Sequence, residues 1–271
     1  APTVASQPTT APADPSAITP ILVTTVLEVG EQRIAFLLVT SKGLVTTPTA
    51  QVTPVYLDGG GSEGPTMEAA FNLWPYGVRG SYSTYANFDR PGRWRLDVQV
   101  DNPDGVDQIQ IEVEVLEKSP VPALGSIAPL SLTKTLDNQG SIEKLTTDYS
   151  PDPDLYRLSI KEAVENPLPS VVVFASPAFC TNAVCGPQVE VLQELKNNFA
   201  ADANFVHVDF YDNPREIQGD LTKARLSPAV LEWGLPSIEW TFVIDVDGIV
   251  SARFEAFATY EEVEQELRQL L

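Results

Sequence analysis

Apolar and polar positions alternate most cleanly in Trp94-Arg-Leu-Asp-Val-Gln-Val100, where residues 94, 96, 98 and 100 are apolar and 95, 97 and 99 are polar. The same period of two returns in Ile109-Gln-Ile-Glu-Val-Glu-Val115. Successive side chains of a strand point to opposite faces, so each run predicts a half-buried strand. The Asn102-Pro-Asp-Gly105 segment between them predicts the turn of a hairpin. Ile34 to Val39, Val52 to Leu57 and the aromatic stretch Tyr82 to Phe88 predict further strands, and Gly59 to Pro65 a loop. Short strands punctuated by turns make residues 21–118 an all-β domain, expected to be an immunoglobulin-like sandwich.

The pattern changes after a Pro-punctuated linker at residues 119–130. Val171 to Ala175 is continuously apolar, as a strand buried on both faces would be. A loop with Cys180 and Cys185 follows. Pro187 then stands where a first helical residue tolerates a missing N–H, and Val189, Leu192, Leu195 and Phe199 recur at helical spacing. Ser159 to Glu165 predicts a short helix, and Asp148 to Asp154 a solvated acidic loop. Phe205 to Phe210 is a second strand, residues 213–230 an irregular or helical insert, and Thr241 to Asp245 a third strand. Val246-Asp-Gly248 turns the chain back into Ile249 to Phe254. Thr259-Tyr-Glu-Glu262 is a capping box opening a last helix, with Val263, Leu267 and Leu270 on one face.

Charge narrows the partners. A net charge of −20 leaves no basic excess for a nucleic-acid backbone and repels an anionic membrane surface. No apolar run is long enough to span a bilayer. Residues 1–20 are rich in Pro, Ala and Thr and read as an extended tether. That tether, on a chain starting at Ala1, suggests export with the leader removed, so the expected location is periplasmic or cell-surface, with membrane contact only through an N-terminal anchor. The alternative for this stretch is a plain disordered terminus.

The chemistry sits on the two cysteines, the only ones in the chain. A thiol between a buried strand and a helix N-terminus meets unpaired N–H groups and the positive end of the helix dipole, and both favour thiolate. Phe88-Asp-Arg-Pro-Gly-Arg-Trp-Arg-Leu-Asp-Val98 resembles a motif of immunoglobulin-like modules in exported bacterial proteins. The order strand, cysteine pair, helix, strand, Phe242-Val-Ile-Asp-Val-Asp-Gly248 hairpin and terminal helix resembles the thioredoxin-like superfamily. Gly125-Ser-Ile-Ala-Pro129 resembles the opening of its exported redoxin and Sco group. Residues 119–271 are therefore expected to form an α/β thioredoxin-like domain.

That resemblance implies a thiol–disulfide oxidoreductase acting on a protein client, with Cys180 and Cys185 catalytic and no cofactor or metal. Family analogy makes Cys180 the attacker and Cys185 the resolver, whereas helix geometry favours Cys185. The cysteines are five positions apart, about 140° around a regular helix, so a bridge needs Cys180 on the loop. The family's cis-proline position, counted back from Phe242, falls on Glu239, and the nearest proline is Pro236. Pro236, Glu239 and Trp240 are the expected substrate-binding residues, and Trp233 and Trp240 form either a client platform or core. A Sco-like copper site ranks lower, because residues 227–239 contain no histidine and His207 lies on the preceding strand. A non-catalytic adaptor with a structural disulfide is the reading from a different class.

Overall fold

The computed structural model describes residues 17–75, 79–102, 105–179 and 185–271. Its first part is built from β1 (Thr19–Leu22), β2 (Leu27–Glu28), β3 (Gly30–Thr40), β4 (Gly43–Leu44), β5 (Thr49–Tyr56), β6 (Ser62–Glu63), β7 (Met67–Leu73), β8 (Gly80–Phe88), β9 (Gly92–Asn102) and β10 (Gly105–Leu116). The alternating runs become β9 and β10, paired antiparallel with Trp94 opposite Val113 and Val98 opposite Ile109. The middle of their connection, residues 103–104, lies outside the described residues. Apolar residues of β9 and β10 face one core with Ile34, Phe36, Tyr82 and Phe88. Phe88 meets Trp94 edge-on at 5.2 Å, an arrangement that adds ring electrostatics to area burial.

The strands join in one hydrogen-bonded order, β1-β3-β8-β7-β5-β9-β10-β2, with β4 on β3 and β6 on β5. The expected pair of separate sheets is replaced by one continuous sheet whose last strand, β2, pairs parallel with β10. Strand β3 is buried along both faces through its centre. Ile34, Phe36 and Leu38 enter the sheet's own core, while Leu37 packs against the core of the second part.

The second part contains α1 (Leu136–Gln139), α2 (Ile160–Val164), β11 (Ser170–Ala175), α3 (Cys185–Phe199), β12 (Asn204–Asp209), α4 (Pro214–Ile217), α5 (Pro228–Glu232), β13 (Trp240–Ile244), β14 (Val250–Glu255) and α6 (Tyr260–Arg268). Its four strands run β12-β11-β13-β14, the first pair parallel and the other two antiparallel. Every residue of β11, β12 and β13 is buried. One face packs on Val189, Leu192 and Leu195 of α3 and Val263 and Leu267 of α6; the other packs on Ile160, Val230 and Trp233. The capping box of α6 is present, with Thr259 accepting from the Glu262 N–H and the Glu262 side chain accepting from the Thr259 N–H.

The expected class, an immunoglobulin-like sandwich followed by an α/β thioredoxin-like domain, is corrected by this architecture. Over the described residues taken together strand outweighs helix, and every helix but α3 has nine residues or fewer. Turn residues set that limit. Helix α4 starts on Pro214 and stops at left-handed Gln218, followed by Gly219, while α5 starts on Pro228 and ends before Gly234. No cis peptide bond occurs among the described residues, and the position where the resemblance puts its proline is Glu239 in trans.

Charged side chains fasten the two sheets together. Arg33 of β3 donates to both carboxylate oxygens of Glu262 at 2.8 and 3.0 Å and to the Phe257 carbonyl at 3.0 Å. Arg253 of β14 pairs with Glu28 at 2.8 Å, each side chain 6% exposed. Glu255 accepts from the Thr25 and Val26 N–H groups and from the Ser237 hydroxyl. Burial pushes the Glu255 carboxyl above its ordinary range, and these donors pull it back.

Candidate functional site

Strand β11 ends at Ala175, and Ser176 starts a turn closed by the Phe179 N–H on its carbonyl at 3.0 Å. Cys180 and residues 181–184 lie outside the described residues. Cys185 opens α3, is fully buried and is disulfide-bonded. The helix begins two residues earlier than Pro187 predicts. Pro187 therefore sits in the first turn, where its missing N–H costs no helical bond.

The turn at residues 176–179 is fixed from below by the carboxylate of Asp209. Asp209, at the end of β12, accepts from the Thr147 N–H at 2.7 Å, the Thr147 hydroxyl at 2.8 Å and the Tyr211 N–H at 3.0 Å. The same Thr147 Oγ1 accepts from the Ala178 N–H at 3.2 Å and lies 3.1 Å from Ser176 Oγ. Asp209 is only 4% exposed. Burial raises its carboxyl to about 6, against the opposing pull of the Tyr211 and Thr147 donors. A signal was present in the sequence: Asp is a foreign residue in an otherwise buried strand.

His207 sits two positions earlier on the same strand. Its Nδ1 is 2.6 Å from the Tyr156 hydroxyl and its Nε2 is 3.2 Å from the Ala175 carbonyl. A carbonyl can only accept, so Nε2 carries the proton and Nδ1 accepts from Tyr156. Burial lowers the imidazole to about 4, so the ring is neutral near pH 7. Both nitrogens are engaged, which removes His207 as a copper ligand in this arrangement. No group of three or more His, Cys, Asp or Glu side chains that could hold a metal occurs among the described residues. The acidic loop at 148–154 is partly tied down rather than solvated, with Asp152 2.6 Å from Lys196 of α3.

The expected substrate residues separate. Pro236 is exposed, whereas Glu239 and Trp240 are each 1% exposed. Trp240 stacks on Phe242 at 5.8 Å and donates its indole N–H to Ser237 at 3.0 Å. Trp233 is wholly buried and donates to Ser131. Both indoles are therefore core side chains. Glu239 has a φ of +121°, a conformation L residues rarely adopt, and its carbonyl accepts from the Ala256 N–H at 3.1 Å. Ser237, Glu239 and Glu255 line a cleft of about 320 Å3 together with Thr25 of the first part. Ile238 packs on the same core cluster as Cys185, which brings this segment and the start of α3 to one body of packing.

No family model and no curated protein matches the chain. Among solved structures, the chain is similar to the solution structure of the PKD domain from human VPS10 domain-containing receptor SorCS2. The identity is 15%, with 42% of this chain and 85% of that chain covered and a TM-score of 0.22. The expected place in the thioredoxin-like superfamily is corrected by the structure: the described chain is mostly β, and a trans glutamate, Glu239, stands where that superfamily carries its cis-proline.

Proposed function

We propose that the protein carries out thiol–disulfide exchange with a protein client through Cys180 and Cys185. The observation that carries this reading is the disulfide-bonded Cys185 at the first residue of the fifteen-residue α3, the next described element after the wholly buried β11. A ring closed between positions so near in sequence restricts little chain entropy, so stabilisation alone is a poor reason for it. The extracytoplasmic setting belongs to the same proposal, because protein disulfides persist in oxidising compartments. No helix of the described residues is long and apolar enough to cross a membrane.

In the reductive direction the Cys180 thiolate attacks one sulfur of the client disulfide. A mixed disulfide forms and the other client sulfur leaves as thiolate. The Cys185 thiolate then attacks the Cys180 sulfur and releases the second client sulfur. The client is reduced, the pair is oxidised, and an external dithiol must re-reduce it. Full burial of Cys185 suits the resolving role, since a resolver meets only its neighbour. Asp209 is a positioning residue here: through Thr147 it holds residues 176–178, the approach to Cys180.

The same burial supports the second reading, an adaptor whose disulfide only pins loop to helix. Reduced protein mixed with a chromogenic disulfide separates the two. Exchange predicts a burst of released thiol that Cys180→Ser slows at least about tenfold. It also predicts that Cys185→Ser leaves a stable mixed disulfide detectable by mass. If wild-type protein reacts no faster than free cysteine, the adaptor reading replaces exchange.

A further inference from the structure

A second cleft of about 320 Å3 opens where residues 134–144 meet residues 212–225. Lys134, Lys144, Arg215 and Arg225 line it, against only two carboxylates, Asp212 and Glu216. The chain as a whole has 37 acidic residues to 17 basic, so this local balance is the reverse of the average. Two of the cations are neutralised: Lys134 lies 2.6 Å from Asp212 and Arg225 3.1 Å from Glu216. Lys144 and Arg215 form no ion pair within 4 Å among the described residues, although Arg215 lies near enough to the Glu143 carboxylate to help lower its pKa; the Lys144 ammonium donates to the Gln139 carbonyl at 3.2 Å.

The wall is held in shape by Asn213, a buried side chain. Its amide donates to the Lys223 carbonyl at 2.9 Å and to Glu216 at 3.2 Å, and its oxygen accepts from the Arg225 N–H at 2.8 Å. The cleft also approaches Phe179. Lys134, Lys144 and Asp212 line a smaller neighbouring cavity with His207, Asp209 and Tyr211, and the Tyr211 ring meets that of Phe179, the residue before Cys180, at 6.2 Å.

We propose that this cleft docks an acidic peptide segment of the client on the Phe179 side of the molecule, one carboxylate against Lys144 and another against Arg215. The interleaved Asp212 and Glu216 favour a peptide over a compact polyanion, because they accept from backbone N–H groups and repel dense negative charge. Repulsion from the rest of the −20 chain is screened within about 8 Å at physiological salt, so the local cations decide contact. The proposal rests on the exchange reading for the identity of the peptide's owner, but binding itself needs no free thiol.

The test uses oxidised full-length protein and an acetylated, amidated hexapeptide of alternating Glu and Gly, titrated calorimetrically at about 0.15 M NaCl, where the screening length is about 8 Å. Saturable binding is expected, weakened by 0.5 M NaCl and reduced about tenfold by K144E/R215E, while K42E on the distant β3–β4 turn has no effect. Absence of saturation, equal binding by K144E/R215E, or inorganic phosphate binding as well as the peptide would overturn it. Because the protein stays oxidised, failure here leaves the exchange reading standing, and loss of exchange leaves this binding result standing.

Discussion

Substituting Asp209 with Asn should tilt the pH profile of stability. Asp209 is raised by burial from 3.8 to about 6. Below pH 4 the carboxyl is protonated in both folded and unfolded chains. Between pH 4 and 6 the unfolded chain ionises while the folded one resists, so stability falls as pH rises. At about 1.36 kcal/mol per pH unit, a displacement from 3.8 to 6 is about 3 kcal/mol. His207 does the opposite. Its pKa is lowered from 6.5 to about 4 by burial, so acid charges the unfolded imidazole first. Stability therefore rises by about 3 kcal/mol as pH climbs from 4 to 6.5. In wild type the two slopes nearly cancel; in Asp209→Asn only the histidine slope remains. Urea unfolding of oxidised protein from pH 4 to 7, followed by tryptophan fluorescence, reads the difference. The variant should gain about 3 kcal/mol of stability relative to wild type between pH 4 and pH 6.5. The reasoning is refuted if the wild-type and variant profiles run parallel.

Arg33→Met should cost about 3 kcal/mol, since it strands the Glu262 carboxylate, 18% exposed, against the first sheet. Adding Glu262→Gln should return part of that loss in a double-mutant cycle measured by chemical denaturation. Gly234 has a φ of +59° and leaves only 2.5 Å between an added Cβ and the Pro120 carbonyl oxygen, so Gly234→Ala should destabilise by about 2 kcal/mol or more. Gly140, at φ +68° with open space around it, should tolerate Ala at about 1 kcal/mol, and thermal melts of the two variants should rank accordingly.

Local pattern carried the strands and the two longer helices. The period of two in Trp94–Val100 survives as β9 because one face of that strand is core and the other is wet. Ile34 to Val39 reads as a strand, but its continuous apolar character has a further cause: β3 is sandwiched between its own core and the second part of the molecule. Periodicity within one segment says nothing about a partner segment 229 positions away, and so the Arg33–Glu262 link was not visible. Sheet order was hidden for the same reason, because it depends on pairings distant in sequence. Element order suggests an α/β class, but element length decides it. The prolines and glycines that shorten α4 and α5 were in plain view. At the site, the cysteines were legible by rarity, whereas the support of residues 176–178 by Asp209 required knowing that Thr147 folds back onto β12.

The reduction potential of the Cys180–Cys185 pair tests the exchange chemistry most directly. Equilibration of the full chain against defined glutathione or dithiothreitol ratios, with the thiols counted by alkylation and mass, gives it. A working exchange pair should fall between about −120 and −270 mV; a value below about −300 mV would mark a bridge that stays closed, contradicting the proposed function.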